Sequence, residues 1–116
     1  MRNKKTALIT GGAGFIGSHL SEKLLACGKK VFVLDNLSTG RIGNIEHLFS
    51  DKNFYFKKGS VLNKATVRKL SHGVDEIYHL AAAVGVKNIM ERPLESWNTN
   101  IKGTEVVLEV AHEKKI

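Results

Sequence analysis

Residues 10–17 read Thr10-Gly11-Gly12-Ala13-Gly14-Phe15-Ile16-Gly17. A short apolar run, Thr6-Ala7-Leu8-Ile9-Thr10, comes before them. After them Phe15, Ile16, Leu20, Leu24 and Leu25 recur at helical spacing, predicting a helix over 14–26 with Gly28 as its stop. Gly12, Gly14 and Gly17 satisfy GxGxxG, and Gly11, Gly14 and Gly17 satisfy GxxGxxG. Leaving a strand sharply needs backbone freed from Cβ restrictions. A pyrophosphate approaching the main chain needs the same bareness, and the last glycine lets helix and strand pack closely. The helix start then offers unpaired N–H groups and a positive dipole end to an anion. Strand before and helix after are the context that turns a weak pattern into a dinucleotide cradle.

Outward from this turn, residues 30–34 form a second strand pattern, almost wholly apolar, as a strand covered on both faces should be. Asp35 follows it directly, 18 residues after Gly17 and close to the roughly 20 expected of a ribose-binding acid. A carboxylate there accepts from both ribose hydroxyls and repels a 2′-phosphate, so the reading favours NAD over NADP. Residues 36–44 form a loop and 45–49 a short helix. Strands follow at 54–56 and 77–80, with a helix capped by Asn63 between them. Pro93 opens a long helix whose buried stripe is expected at Leu94, Trp97, Ile101, Thr104, Leu108 and Ala111, with close packing at Gly103. Strands alternating with helices predict an α/β fold. The expected architecture is a Rossmann-type parallel sheet in the order 3-2-1-4, helices on both faces, truncated after about four strands. Its open edge is a place for self-association.

The chain has 116 residues, enough for one half-domain over 1–116 and little more. No apolar run is long enough to span a membrane, and no secretory leader is legible, so the expected setting is the cytoplasm. Cys27 stands alone, which rules out an internal disulfide; it reads as a small packing residue. The net charge of +7 comes from scattered lysine pairs without interleaved aromatics. That pattern is solvated surface charge rather than a nucleic-acid footprint.

Several segments resemble the extended short-chain dehydrogenase/reductase family, specifically its NAD-dependent sugar epimerases and dehydratases. They are residues 9–20 around the glycine turn, Leu34-Asp35-Asn36-Leu37-Ser38-Thr39-Gly40, Tyr78-His79-Leu80-Ala81-Ala82 and Asn100-Ile101-Lys102-Gly103-Thr104. The likeness is strongest to UDP-glucose 4-epimerase-like and UDP-glucuronate decarboxylase-like members, and it covers essentially the whole chain. The resemblance implies that the backbone N–H groups of Phe15 and Ile16 meet the pyrophosphate. It implies that Asn36, Ser38 and Gly40 line the adenosine side, that Leu80, Ala81 and Ala82 run along the cofactor, and that Lys87 and Asn100 lie near it. After the third strand members often carry Gly-Asp and an aliphatic residue; here Gly59-Ser60-Val61 stands, so Ser60 and Val61 take that place without the carboxylate.

Members also use a Tyr-x-x-x-Lys pair, in which the lysine lowers the tyrosine pKa for acid/base work. Four residues after Tyr55 is Gly59, and four after Tyr78 is Ala82, so neither fits. The expectation is therefore the NAD-binding portion of a nucleotide-sugar epimerase or dehydratase, catalytically incomplete, with a nucleotide sugar met only by a full-length parent. The alternative is a stand-alone, non-catalytic nucleotide-binding module.

Overall fold

The computed structural model of the chain describes residues 4–82 and 86–116, and the side chains of all of these except 86–88. Strand β1 (Thr6–Thr10) leads through the glycine turn into helix α1 (Phe15–Ala26) and strand β2 (Lys30–Asp35). Two short 3-10 turns, Ile42–Asn44 and Glu46–Leu48, precede β3 (Phe54–Lys58). Helix α2 (Lys64–Leu70), β4 (Glu76–His79) and α3 (Val86–Glu91) follow. The chain then runs through α4 (Pro93–Trp97), a π-helical turn (Asn98–Lys102) and α5 (Gly103–Lys114). All strand pairs are parallel and the order is β3-β2-β1-β4, as expected.

Central strand β1 is buried along its whole length, and its residues divide between the sheet faces with period two. Ala7 and Ile9 join Val31, Val33, Leu24 and Phe54 on one face; Leu8 joins Leu34, Val67, Val107 and Val110 on the other. Each large aliphatic side chain fully buried this way contributes about 1.5–3 kcal/mol. Local signals agree with this frame. The Oδ1 of Asn63 accepts from Thr66 N at 3.2 Å, capping α2. Gly28 stops α1 with φ +84°. Acidic side chains are largely engaged: Glu76 with Lys29, Glu109 and Glu113 with Lys64, and Glu113 also with Arg68. No described helix is long and apolar enough to cross a membrane.

Two expectations are corrected. The row Leu94, Trp97, Ile101 and Leu108 does not face the core; these side chains are 80%, 66%, 49% and 65% exposed. Thr104 is exposed too, and Ala111 is only partly covered. The sheet-facing row is instead Ser96, Gly103, Val107 and Val110. On α1, Leu24 is in the core with Leu20 and Leu25 packed against it, beside buried Gly17, Ser18 and Ser21, while Phe15 and Ile16 at its start are exposed. The choice of face has a packing cause. A helix that docks closely on a sheet presents its small residues. A Cβ on Gly103 would come within 2.7 Å of Val61 Cγ2, and one on Gly17 within 2.5 Å of Gly11 O. Ranking faces by side-chain size selects the wrong one. The buried serines of α1 are satisfied, Ser18 Oγ donating to Phe15 O and Ser21 Oγ to Gly17 O, whereas the buried hydroxyls of Ser71 and Ser96 have no hydrogen-bond partner among the described residues. Second, Cys27 is exposed at the end of α1 and packs nothing into the core.

Candidate nucleotide site

The glycine turn is bare because its surroundings leave no room. Gly11 has φ +73°, and its N–H donates to Leu34 O at 2.7 Å. A Cβ there would meet Ala81 N at 2.7 Å, so the turn lies directly against the chain leaving β4. Gly14 caps α1 without a side chain, and the first turn of α1 holds no acidic residue. The first-turn N–H groups, orphaned in any helix, therefore border a cleft lined by Gly11, Gly14, Phe15, Ile16 and Gly17. An anion is the natural partner for them.

Across the cleft, Asp35 ends β2 and is a buried residue, only 7% exposed. Asp35 Oδ2 accepts from Ala13 N at 2.9 Å and Oδ1 from Leu37 N at 2.8 Å. The carboxylate is thus oriented by the glycine turn and by its own loop, and each oxygen keeps lone-pair capacity for a further donor. Leu37 is held at φ +62°, a left-handed backbone uncommon for an aliphatic residue. Gly40 closes the loop; a Cβ there would meet Asp35 Oδ2 at 2.7 Å and Ala13 C at 3.0 Å. Ala13 O accepts from Arg41 N and Asn44 Nδ2, which completes the clamp. Leu34, Asn36, Ser38, Thr39 and Gly40 line this side with Asp35.

Gly59, Val61, Leu80, Ala81, Ala82 and Thr99 form the remaining wall. The cleft has a volume of about 320 Å³, within the range of small-molecule pockets. Leu80 N donates to Thr10 O, and Ala81 N to Thr10 Oγ1, so the wall is pinned to β1. His79 Nδ1 lies 2.7 Å from Thr10 Oγ1, and its Nε2 lies 3.2 Å from Thr104 Oγ1. Partial burial holds the His79 imidazole pKa below its ordinary 6.5.

Gly11, Gly14, Phe15, Ile16, Gly17, Asp35, Asn36, Ser38, Gly40, Val61, Leu80, Ala81 and Ala82 thus converge on one cleft. Ser60 does not line it; its Oγ accepts from Leu62 N in a local turn. Asn100 is also off the lining, while its neighbour Thr99 is on it. The side chain of Lys87 lies outside the described residues. Ala13 orients Asp35 through its main-chain N–H, which leaves no mark on side-chain type. Thr99 lies on a π-turn that helical spacing does not foresee, and Thr39 belongs to the 34–40 segment without a separate signal of its own. Among the described residues no His, Cys, Asp and Glu cluster could hold a metal ion.

The profile of the family described as GDP-mannose 4,6 dehydratase matches residues 8–116. The chain belongs to this family. It is 43% identical over 110 residues to UDP-glucuronic acid decarboxylase 1 of Danio rerio, covering 95% of this chain and 25% of that protein. It is 42% identical over 112 residues to UDP-N-acetyl-alpha-D-glucosaminuronate decarboxylase of Bacillus cytotoxicus, covering 97% and 34%. Among solved structures, DesIV (dTDP-glucose 4,6-dehydratase) of Streptomyces venezuelae, with NAD and TYD bound, superposes with a TM-score of 0.89 at 32% identity, covering 96% of this chain and 37% of that one. The chain therefore spans about a quarter to a third of the length of these family members.

Proposed function

We propose that residues 1–116 form the NAD-binding portion of a nucleotide-sugar epimerase or dehydratase. The observation that carries this is the Asp35 carboxylate, fixed by Ala13 N and Leu37 N at the end of β2, beside a glycine turn with no room for a side chain at Gly11 or Gly17. The site fits the dinucleotide: a bare helix start for the pyrophosphate, an oriented acid for the ribose and an apolar wall beyond.

In this reading the N–H groups of Phe15 and Ile16 bind the pyrophosphate, and Asp35 accepts from the ribose hydroxyls while repelling a 2′-phosphate. Asn36, Ser38 and Gly40 flank the adenosine. Val61, with Ser60 beside it, borders the adenine, and Leu80, Ala81 and Ala82 guide the other half of the cofactor. Lys87 and Asn100 approach it from the segment after β4. When bound, NAD supplies a hydride acceptor; these residues bind and orient it and exclude water. No Tyr-x-x-x-Lys occurs among the 116 residues, so none of them is assigned the proton transfer. The nucleotide sugar belongs to a longer parent, the compartment is the cytoplasm, and the outer edge of β4 is a place for self-association. A strictly monomeric mass by light scattering at high concentration would count against that last element.

The test is calorimetric titration with NAD and with NADP, on the natural chain and on Asp35→Ala. NAD should bind more tightly than NADP. Loss of a charge-assisted hydrogen-bond acceptor should weaken NAD roughly tenfold or more and narrow the NAD/NADP ratio. The ratio matters because Asp35 also holds the loop, and general loosening would weaken both nucleotides alike. Failure of the natural chain to bind either nucleotide would overturn the proposal.

A further inference from the structure

Five polar groups behind the cleft wall form a chain in which every proton has a direction. Thr104 Oγ1 donates to Asn100 O at 2.7 Å, so toward His79 it can only accept. His79 Nε2, 3.2 Å away, must then carry the proton. A neutral imidazole protonated at Nε2 presents Nδ1 as an acceptor. Thr10 Oγ1, at 2.7 Å, donates to it and accepts in turn from Ala81 N at 3.2 Å. The run Ala81 N–H, Thr10 hydroxyl, His79 imidazole, Thr104 hydroxyl and Asn100 carbonyl therefore spans from the wall beside Gly11 to the π-turn that carries Thr99.

Thr10 is fully buried, so its hydroxyl has no water to fall back on. With Nδ1 protonated as well, Thr10 Oγ1 would face two donors and lose its own acceptor, a poor arrangement away from solvent. Burial of the ring disfavours that charged form too.

We propose that His79, as its neutral Nε2–H tautomer, is a positioning residue that ties the Ala81 backbone to the π-turn and so sets the spacing between two walls of the nucleotide cleft. The consequence for cofactor affinity rests on the function proposed above; the tautomer and the wall geometry do not.

Two variants at exposed Thr104 test this without disturbing the core. Thr104→Val keeps the shape and removes the hydroxyl, and Thr104→Ser restores it. Nitrogen-15 NMR of the full chain without nucleotide should show His79 protonated at Nε2 in the natural chain, in Thr104→Ser and also in Thr104→Val, where Thr10 still donates to Nδ1. The amide signals of Ala81 and Thr99 should shift together in Thr104→Val and return in Thr104→Ser. NAD affinity should fall about three- to tenfold in Thr104→Val, the worth of a typical hydrogen bond, and recover in Thr104→Ser. An Nδ1–H tautomer in the natural chain, or Ala81 and Thr99 amides unmoved by Thr104→Val, would overturn the proposal. Correct tautomer and amide responses with no NAD binding would instead uphold the positioning role and overturn the proposed cofactor.

Discussion

At Gly17 the first turn of α1 meets the glycine turn main chain to main chain. The place of Gly17 in GxGxxG already asks for close helix–strand packing, and a Cβ there would sit 2.5 Å from Gly11 O and 2.7 Å from Gly12 Cα. Both obstacles are main chain, which cannot rotate away. Gly17→Ala should therefore destabilise the fold by about 1–3 kcal/mol despite alanine's better helix propensity. Gly43→Ala, where a Cβ would meet nothing within 4 Å, should stay within about 0.5 kcal/mol of the natural chain. Urea unfolding of both variants checks this pair, and a Gly17→Ala midpoint equal to that of Gly43→Ala would contradict it. Asp35 was equally legible, by spacing from the glycines. Its two backbone donors were not, because hydrogen bonds from Ala13 and Leu37 leave no mark on side-chain type.

At the scale of elements, strand order and helix positions follow from alternation and punctuation, as do the core-packed Leu20, Leu24 and Leu25 of α1, whereas the facing of α4 and α5 does not. That stretch carries two rows that periodicity can accept. Leu94, Trp97, Ile101 and Leu108 form the larger row, and the sheet takes the smaller one because Gly103 lies against Val61. Hydrophobic period reports that a face is apolar; the distance between elements decides which face is used. This makes Gly103 and Val61 a coupled pair. Gly103→Ala adds a methyl group 2.7 Å from Val61 Cγ2, and Val61→Ala removes the obstacle. The double variant should be more stable than the sum of the single changes predicts, by at least about 0.5 kcal/mol. A double-mutant cycle by chemical unfolding measures it, and strict additivity would mean that helix and sheet simply move apart.

Considered whole, the molecule has a sheet with unlike edges. Outer strand β3 ends in exposed Lys57 and Lys58, a charged guard against pairing, while β4 is four residues long and, among the described residues, pairs only with β1. The resemblance reached this scale well, since the parallel order and the cleft at the ends of the strands belong to the fold itself. It did not reach the exposed apolar row on α4 and α5, which depends on what else packs there. The ion pairs described above carry one more consequence. Glu76, Glu109 and Glu113 are already answered by lysine and arginine neighbours, and Asp35 and Asp75 are turned toward backbone N–H groups, while the sequence as a whole carries a surplus of +7. The field of that surplus reaches about a Debye length into solution and draws an anionic dinucleotide toward the protein before any contact forms. Added salt should therefore slow the arrival of the nucleotide much more than it hastens its departure, a division that stopped-flow fluorescence resolves.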